Sequence, residues 1–529
     1  MTNSKMYFKQ NILIEPLFNQ WYAWTNLIAP ASAAMYIANS HLKIMESFVA
    51  TPQTHIAALK NPAMAGGPFI NYDASKVGEI SNLIKKTKTE QAHMLEFAEA
   101  VKQTDDMLQA EATGYSMEQL YPKVPDILKG YVELVYDLRN HPSIRFMEAL
   151  LYKSKYYNPA SQGISMSQAD NDTRSFVFST PRLSGDKHLF LNIPFEDEGL
   201  DELFRMKFAA GPYERIREIL RIDGDSNELF SSFFTEEEPR RSVERSGDSI
   251  RIRYFGHACI LIESQGHSIL VDPVISYKDS LNRDQYTYAD LPKEIDYVLI
   301  THGHQDHIIF EPLLQLRHKV KNFVVPRSSG ASIADPSLKL ILKTIGFKNV
   351  WEIDELESLE IPGGRIISLP FFGEHSDLNI RTKTTYLIEI QGKSVLLLAD
   401  SNNLEPKFYE RIRELFGEID VLFIGMECEG APMSWLYGPL LTSVLSRKND
   451  QSRRLDGSNY EKGIAIVDLL KPKEVYVYAM GQEYWLSFLT SIQYTSESKP
   501  IVESNKLIDA CKNRGLAAER LLTTKEVML

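Results

Sequence analysis

Apolar positions recur at three- and four-residue spacing along residues 31–60 and 75–110, with charges between them, which predicts amphipathic helices. Around residues 10–28 the segment NILIEPLFNQWYAWTNLIA is dense in aromatics and reads as a buried packing segment. Residues 176–194 alternate apolar runs with Pro and Gly, as short interrupted strands do, and about 199–221 a helical spacing returns. The stretch IDGDSNELFSSFFTEEEPRRSVERSGD (222–248) is polar, charged and nearly free of aliphatics. It is expected to be a linker or long surface loop, with a domain boundary near 245.

Beyond that point the period shortens to two. IRIRYF (250–255), ACILIE (258–263) and HSILVD (267–272) read as strands joined by tight turns. YVLIT (297–301), NFVVP (322–326), RIISLP (365–370), TTYLIEI (384–390), KSVLLLAD (393–400), DVLFIG (420–425) and EVYVYA (474–479) follow, with helical stretches such as 404–416 and 503–513 between them. Hairpins first and β–α alternation later predict sheets covered by helices on their outer faces. The expected division is an N-terminal α+β domain over 1–245 and an α/β domain over 246–529.

Composition narrows the class. A chain of 529 residues suggests two to four domains. Fifty-eight Lys and Arg against 70 Asp and Glu give a formal charge of −12, which argues against a general binder of nucleic acid or anionic membranes. No uncharged apolar run reaches 18 residues, so no membrane-spanning helix is expected. The first residues lack the apolar core of a secretory signal. Three cysteines, Cys259, Cys428 and Cys511, do not suggest a disulfide framework. A reducing, cytoplasmic setting is expected.

The chemistry concentrates in THGHQDH at 301–307, directly after the apolar run DYVLI. His302, His304, Asp306 and His307 fall within six residues, and three of the chain's 12 histidines are among them. On a tight turn after a strand, His302 and His304 can face one metal while Asp306 and His307 face a neighbouring one. Imidazole and carboxylate are ordinary ligands for Zn, Fe and Mn.

This motif, with GHA at 256–258 and ILVDP at 269–273, resembles the metallo-β-lactamase fold superfamily over about 246–510. The resemblance implies an αββα sandwich with two metals at one edge. It implies a further ligand within FFGEHSD (371–377), where Glu374 and His375 are adjacent candidates, and a bridging carboxylate at Asp400. The superfamily's last histidine is expected after EVYVYA. No histidine follows His375, and the position reads Met480-Gly481-Gln482-Glu483. A mixed His and carboxylate set without thiolate suits iron or manganese better than a zinc hydrolase site.

Three further segments, NILIEPLFNQWYAWTNLIAP (11–30), AMAGGPFI (63–70) and VYVYAMGQEYW (475–485), are similar to the diiron β-hydroxylases of chloramphenicol biosynthesis over essentially the whole chain. That resemblance implies two irons and O2 as co-substrate. It implies hydroxylation of an amino acid tethered as a thioester to a nonribosomal peptide synthetase carrier domain. Carried over by position, His302, His304 and Glu374 bind one iron, Asp306 and His307 the other, and Asp400 bridges. Asp272 would orient a ligand histidine.

His257 and Glu427 are candidate catalytic residues near the metals, and Glu429 lies on the same expected edge. The insertion at 431–462 reads as a functional lid, and Cys428 beside it as a buried small hydrophobe. No GxGxxG follows a strand, so an external electron donor is expected. Docking of an acidic carrier would use a basic patch, either Arg240, Arg241 and Arg245 or Arg447, Lys448, Arg453 and Arg454. The N-terminal domain would serve dimerisation or carrier docking, with a homodimer expected. The alternative is a dinuclear-metal hydrolase using metal-bound hydroxide on a lactone, amide or phosphodiester.

Overall fold

A computed structural model describes residues 5–169, 174–239, 249–278 and 284–529. Its C-terminal half is built on two seven-stranded sheets. Across the first run Val350–Ile353, Val320–Pro326, Ile295–Leu299, His267–Val271, Cys259–Ser264, Arg251–Gly256 and Lys525–Met528. Across the second run Ser358–Ile361, Gly364–Leu369, Thr385–Ile390, Lys393–Leu397, Val421–Gly425, Glu474–Tyr478 and Ala517–Arg520. In each, antiparallel hairpins give way to parallel pairs, as the sequence pattern suggests.

The period of two decides what lies between the sheets. Ile252, Tyr254, Ile260 and Ile262 point inward to meet Ile366, Tyr386, Ile388 and Val395 of the second sheet. Their neighbours Leu387, Leu396 and Leu422 point outward, against Ile412, Ile466 and Leu507 of the helices Lys407–Phe416, Tyr460–Leu470 and Lys499–Asn513. Each such buried aliphatic side chain contributes about 1.5–3 kcal/mol. The outer face of the first sheet, with Cys259, Leu261, Leu270 and Val298, shares one core with the N-terminal half.

That half holds a four-stranded sheet ordered Trp21–Tyr22, Ile12–Phe18, Gln162–Gln168 and Leu189–Leu191, packed with the helices Pro30–Tyr36, Leu42–Ala50, Val77–Glu90 and Ala92–Glu111. The aromatic segment near residue 10 is a strand buried at every position. Two expectations need correction. Within 176–194 only Leu189–Leu191 forms a strand among the described residues. The part of 222–248 up to residue 239 is no linker: Asn227–Ser232 is helical and Phe234–Thr235 pairs with Lys5–Phe8. Buried Phe230, Phe233 and Phe234 anchor it, and three apolar rings outweigh the charges around them. Residues 240–248, with Arg240, Arg241 and Arg245, lie outside the described residues.

Candidate metal centre

The strand Ile295–Leu299 ends between two parallel partners and delivers the chain into the histidine turn. Thr301 anchors that turn. Its N–H donates to Asp272 Oδ1 at 2.8 Å and its hydroxyl to Oδ2 at 2.5 Å. The other contributors also leave the ends of strands, and several do so through left-handed backbone: His257 at φ 50°, Asp272 at 41°, Glu374 at 63° and, beside Asp400, Ala399 at 45°. Such conformations cost about 1–3 kcal/mol each and persist where the surrounding structure imposes them. Here they turn polar side chains from both sheets toward one buried point.

At that point the atoms converge. His304 Nδ1 lies 2.8 Å from Glu374 Oε1. His307 Nδ1 lies 2.8 Å from Asp272 Oδ2, and its Nε2 lies 3.0 Å from Asp400 Oδ2. His302 Nε2 stands 3.9 Å from both Glu374 Oε2 and Asp400 Oδ2. His257 Nε2 lies 3.4 Å from Asp306 Oδ2. Potential ligand atoms form three overlapping groups, each within 4.8 Å: His302, His304 and Glu374; His302, His307 and Asp400; His257, Asp306 and His307.

Four atoms of these residues, His257 Nε2, His302 Nε2, Glu374 Oε2 and Asp400 Oδ1, are buried without a hydrogen-bond partner. A buried polar atom left unpaired costs about 1–3 kcal/mol, a cost that bound cations at this point would offset. The donors are imidazole and carboxylate without thiolate, and two histidines are shared between groups. The residues fit a pair of metal ions. Cys428, though buried nearby in sequence, belongs to none of the groups.

The charges are balanced internally. Burial opposes charge on His307, but Asp400 and Asp272 outweigh it and hold its pKa well above the ordinary imidazole value. Burial also works against ionised Glu374, yet His304 and His375 bring it down to about 2. Burial, together with Asp400, Asp306 and Glu374, pushes Glu427 well above the usual carboxylate range. Glu427 shares the wall of a cavity of about 310 Å³ with His304 and Asp306.

Glu374 and His375 separate clearly. Glu374 joins a ligand group, whereas His375 stacks its ring on His304 at 4.4 Å and joins none. His257 is fastened from behind: Gly481 N–H donates to its Nδ1 at 3.2 Å, and its own N–H donates to Glu483 Oε1 at 2.7 Å. The place after EVYVYA where a last histidine was missing thus serves to hold His257. Tyr437, which no motif marked, puts its hydroxyl 3.0 Å from His304 Nε2. It comes from the helix Met433–Tyr437 inside the insertion at 431–462. Glu429 is exposed and lies 3.7 Å from Lys499. Arg447 and Lys448 are exposed, Arg453 Nε donates to the Ser376 carbonyl at 2.9 Å, and Arg454 lines the cavity.

The comparisons with known proteins agree with this geometry. Residues 7–239 match the model of the diiron non-heme beta-hydroxylase N-terminal domain, and residues 251–431 that of a beta-lactamase superfamily domain. The 4-amino-L-phenylalanyl-(CmlP-peptidyl-carrier-protein) 3-hydroxylase of Streptomyces venezuelae is 38% identical over 521 residues, covering 97% of this chain and 98% of its own. The crystal structure of CmlA, a diiron beta-hydroxylase from Streptomyces venezuelae, superposes with a TM-score of 0.93 at 38% identity, covering 99% of this chain and 100% of that one. By contrast, a UPF0173 metal-dependent hydrolase of Staphylococcus epidermidis is 36% identical over 58 residues, 11% of this chain and 23% of its own. Metal-dependent hydrolase relatives align over 11–33% of this chain, while the hydroxylase likeness spans 97% of it. With three overlapping ligand groups and a likeness running through its whole length, the chain belongs to the diiron non-heme β-hydroxylases.

Proposed function

We propose that this hydroxylase acts on the β-carbon of an amino acid held as a thioester on a nonribosomal peptide synthetase carrier domain. The observation that carries the reading is the sharing of His302 and His307 among three ligand groups, which calls for two ions side by side. The substrate class follows the relative of Streptomyces venezuelae, whose name places its amino acid on a peptidyl carrier protein.

In this reading His302, His304 and Glu374 would hold one iron, Asp306 and His307 would hold the other, and Asp400 would serve both. Two irons bound there supply the activation of dioxygen. The protein's own groups do the rest. Asp272 fixes the ring of His307 through Nδ1, Tyr437 faces the outer nitrogen of His304, and His257 braces Asp306. Glu427 lies on the cavity wall beside His304 and Asp306, where it can touch a metal, water or substrate held there. Replacing C–H by C–OH with one atom of O2 consumes two electrons and two protons and releases water. An external donor supplies the electrons.

The proposed division places an N-terminal domain at 1–245 and the catalytic domain at 246–529. The N-terminal domain would serve dimerisation or carrier docking. Among the described residues no helix is long and apolar enough to cross a membrane. A cytoplasmic homodimer is part of the proposal.

The test is metal content together with oxygen dependence. Protein purified anaerobically is expected to carry about two irons per chain. After reduction its optical spectrum should change on exposure to O2, and it should hydroxylate one member of a panel of aminoacyl carrier domains. Two zincs per chain and a site inert to O2 would overturn the proposal.

A further inference from the structure

The segment AMAGGPFI at 63–70 plays no part in the chemistry above, yet it reaches the metal cavity. That cavity, of about 310 Å³, is lined by His304, Asp306 and Glu427 together with Gly66, Trp435 and Ser491. A larger groove of about 1040 Å³ lies outside it, and the two share Gly66, Pro432 and Trp435. These residues form a neck between the groove and the metals.

The neck is closed by one hydrogen bond, from Trp435 Nε1 to the Gly66 carbonyl at 3.0 Å. Gly66 has φ +72°, and a Cβ there would stand 3.3 Å from Trp435 Nε1 and 3.4 Å from Ser491 Cβ. A side chain at 66 is therefore both strained and in the way. The Trp435 ring lies over Phe176 at 6.1 Å and edge-on to Phe178 at 5.5 Å, which lines the passage with flat apolar faces. The groove also carries Lys43, Lys102 and Arg447. Its carboxylate Asp450 is already engaged by the N–H and hydroxyl of Ser434, each at 2.8 Å. In a chain of formal charge −12, this is a local surplus of cations.

A carrier protein presents its acyl group on a flexible, amide-rich arm that ends in a thioester and is joined to the protein through a phosphodiester. We infer that the Gly66–Trp435 neck is the port for that arm. The acyl group occupies the inner cavity, the arm passes Trp435, Phe176 and Phe178, and Lys43, Lys102 and Arg447 receive the phosphodiester. The inference rests on the carrier-tethered reading above. Trp435 sits on the helix whose Tyr437 faces His304, so an arm that displaces Trp435 acts on the helix that touches the metal centre.

Photo-labelling of the full-length protein with diazirine-bearing pantetheine 4′-phosphate tests the port without turnover. Adducts are expected within 36–47, 63–69, 176–178 and 432–451 and at Lys102, and the Lys43→Glu/Arg447→Glu variant should reduce their yield about tenfold. Adducts elsewhere, or a yield indifferent to the charge reversal, would overturn it. With a carrier-bound substrate, Gly66→Ala is expected to lower kcat/KM at least tenfold at unchanged iron content. The charge-reversed variant should raise KM and leave kcat alone, and unchanged kinetics in both variants would also overturn the port. If wild-type protein labels in the groove but hydroxylates no carrier-bound amino acid, the port stands and the substrate reading falls.

Discussion

Tyr437 and His304 meet through the imidazole nitrogen that faces away from the other ligands: the Tyr437 hydroxyl is 3.0 Å from Nε2, while Nδ1 lies 2.8 Å from Glu374 Oε1. A ring held this way offers Nδ1 to a metal and keeps its proton on Nε2. Loss of such an outer partner weakens metal affinity about 10–100-fold. Tyr437→Phe is therefore expected to surrender iron to a chelator at correspondingly lower concentration, at unchanged fold by circular dichroism. Equal retention in both proteins would show that Tyr437 packs beside His304 without orienting it.

Asp400 lies against His307 at 3.0 Å and His302 at 3.9 Å, between two ligand groups. An amide there cannot donate charge to two ions at once. Asp400→Asn should drop iron from about two per chain to one or fewer and abolish hydroxylation. A variant that retained both irons would remove Asp400 from the bridging position.

Glu374 and His375 make a paired test. Glu374→Gln should lose the iron shared with His302 and His304, because a neutral amide replaces the carboxylate of that group. His375→Ala should keep both irons, since its ring packs on His304 and belongs to no ligand group. Metal analysis of the two variants side by side reads the result, and the opposite pattern would exchange their roles.

Away from the metals, Glu148 ties the N-terminal half to the catalytic half: the Ser337 N–H donates to its carboxylate at 3.1 Å. Burial lifts its pKa from the ordinary 4.5 to about 7. The folded state thus binds this proton more tightly than the unfolded one. Stability falls as pH rises from 4.5 through 7, and the full cost is present above 7. At 1.36 kcal/mol per pH unit the cost reaches up to about 3 kcal/mol. Glu148→Gln should be more stable than the parent at pH 8 by up to that amount, with the gain vanishing near pH 4.5. Urea unfolding at pH 8 and pH 5 measures it, and a gain independent of pH would assign the effect to something other than this proton.

Most strands of the catalytic half could be read from the chain because their apolar runs are long and buried, as in Val421–Gly425. The ones that were missed, Val350–Ile353, Ser358–Ile361, Ala517–Arg520 and Lys525–Met528, are the four edge strands of the two sheets. An edge strand has one partner and much exposed surface, so SLEI and AAER carry little apolar signal. The site divides in a similar way. His302, His304, Asp306 and His307 share one turn and one motif. Glu374 was separable from His375 in the sequence only through a family resemblance, because both are buried and the left-handed backbone at Gly373, Glu374, Ser376 and Asp377 decides which of them reaches a ligand group. Tyr437 left no trace, since its contact with His304 spans 133 positions and depends on how the insertion folds back.

The pairing of Arg251–Gly256 with Lys525–Met528 has a consequence in time. Their ion pair, Arg251 with Glu526, joins positions 275 residues apart. At a synthesis rate of about 5–20 residues per second, the first of these strands waits roughly 15–55 s for its neighbour to emerge. Throughout that interval one flank of an apolar ribbon offers unsatisfied N–H and C=O groups to any chain that passes. The nascent protein is most exposed to mispairing while its N-terminal half is already made, and a chaperone that shields this ribbon would act in that window.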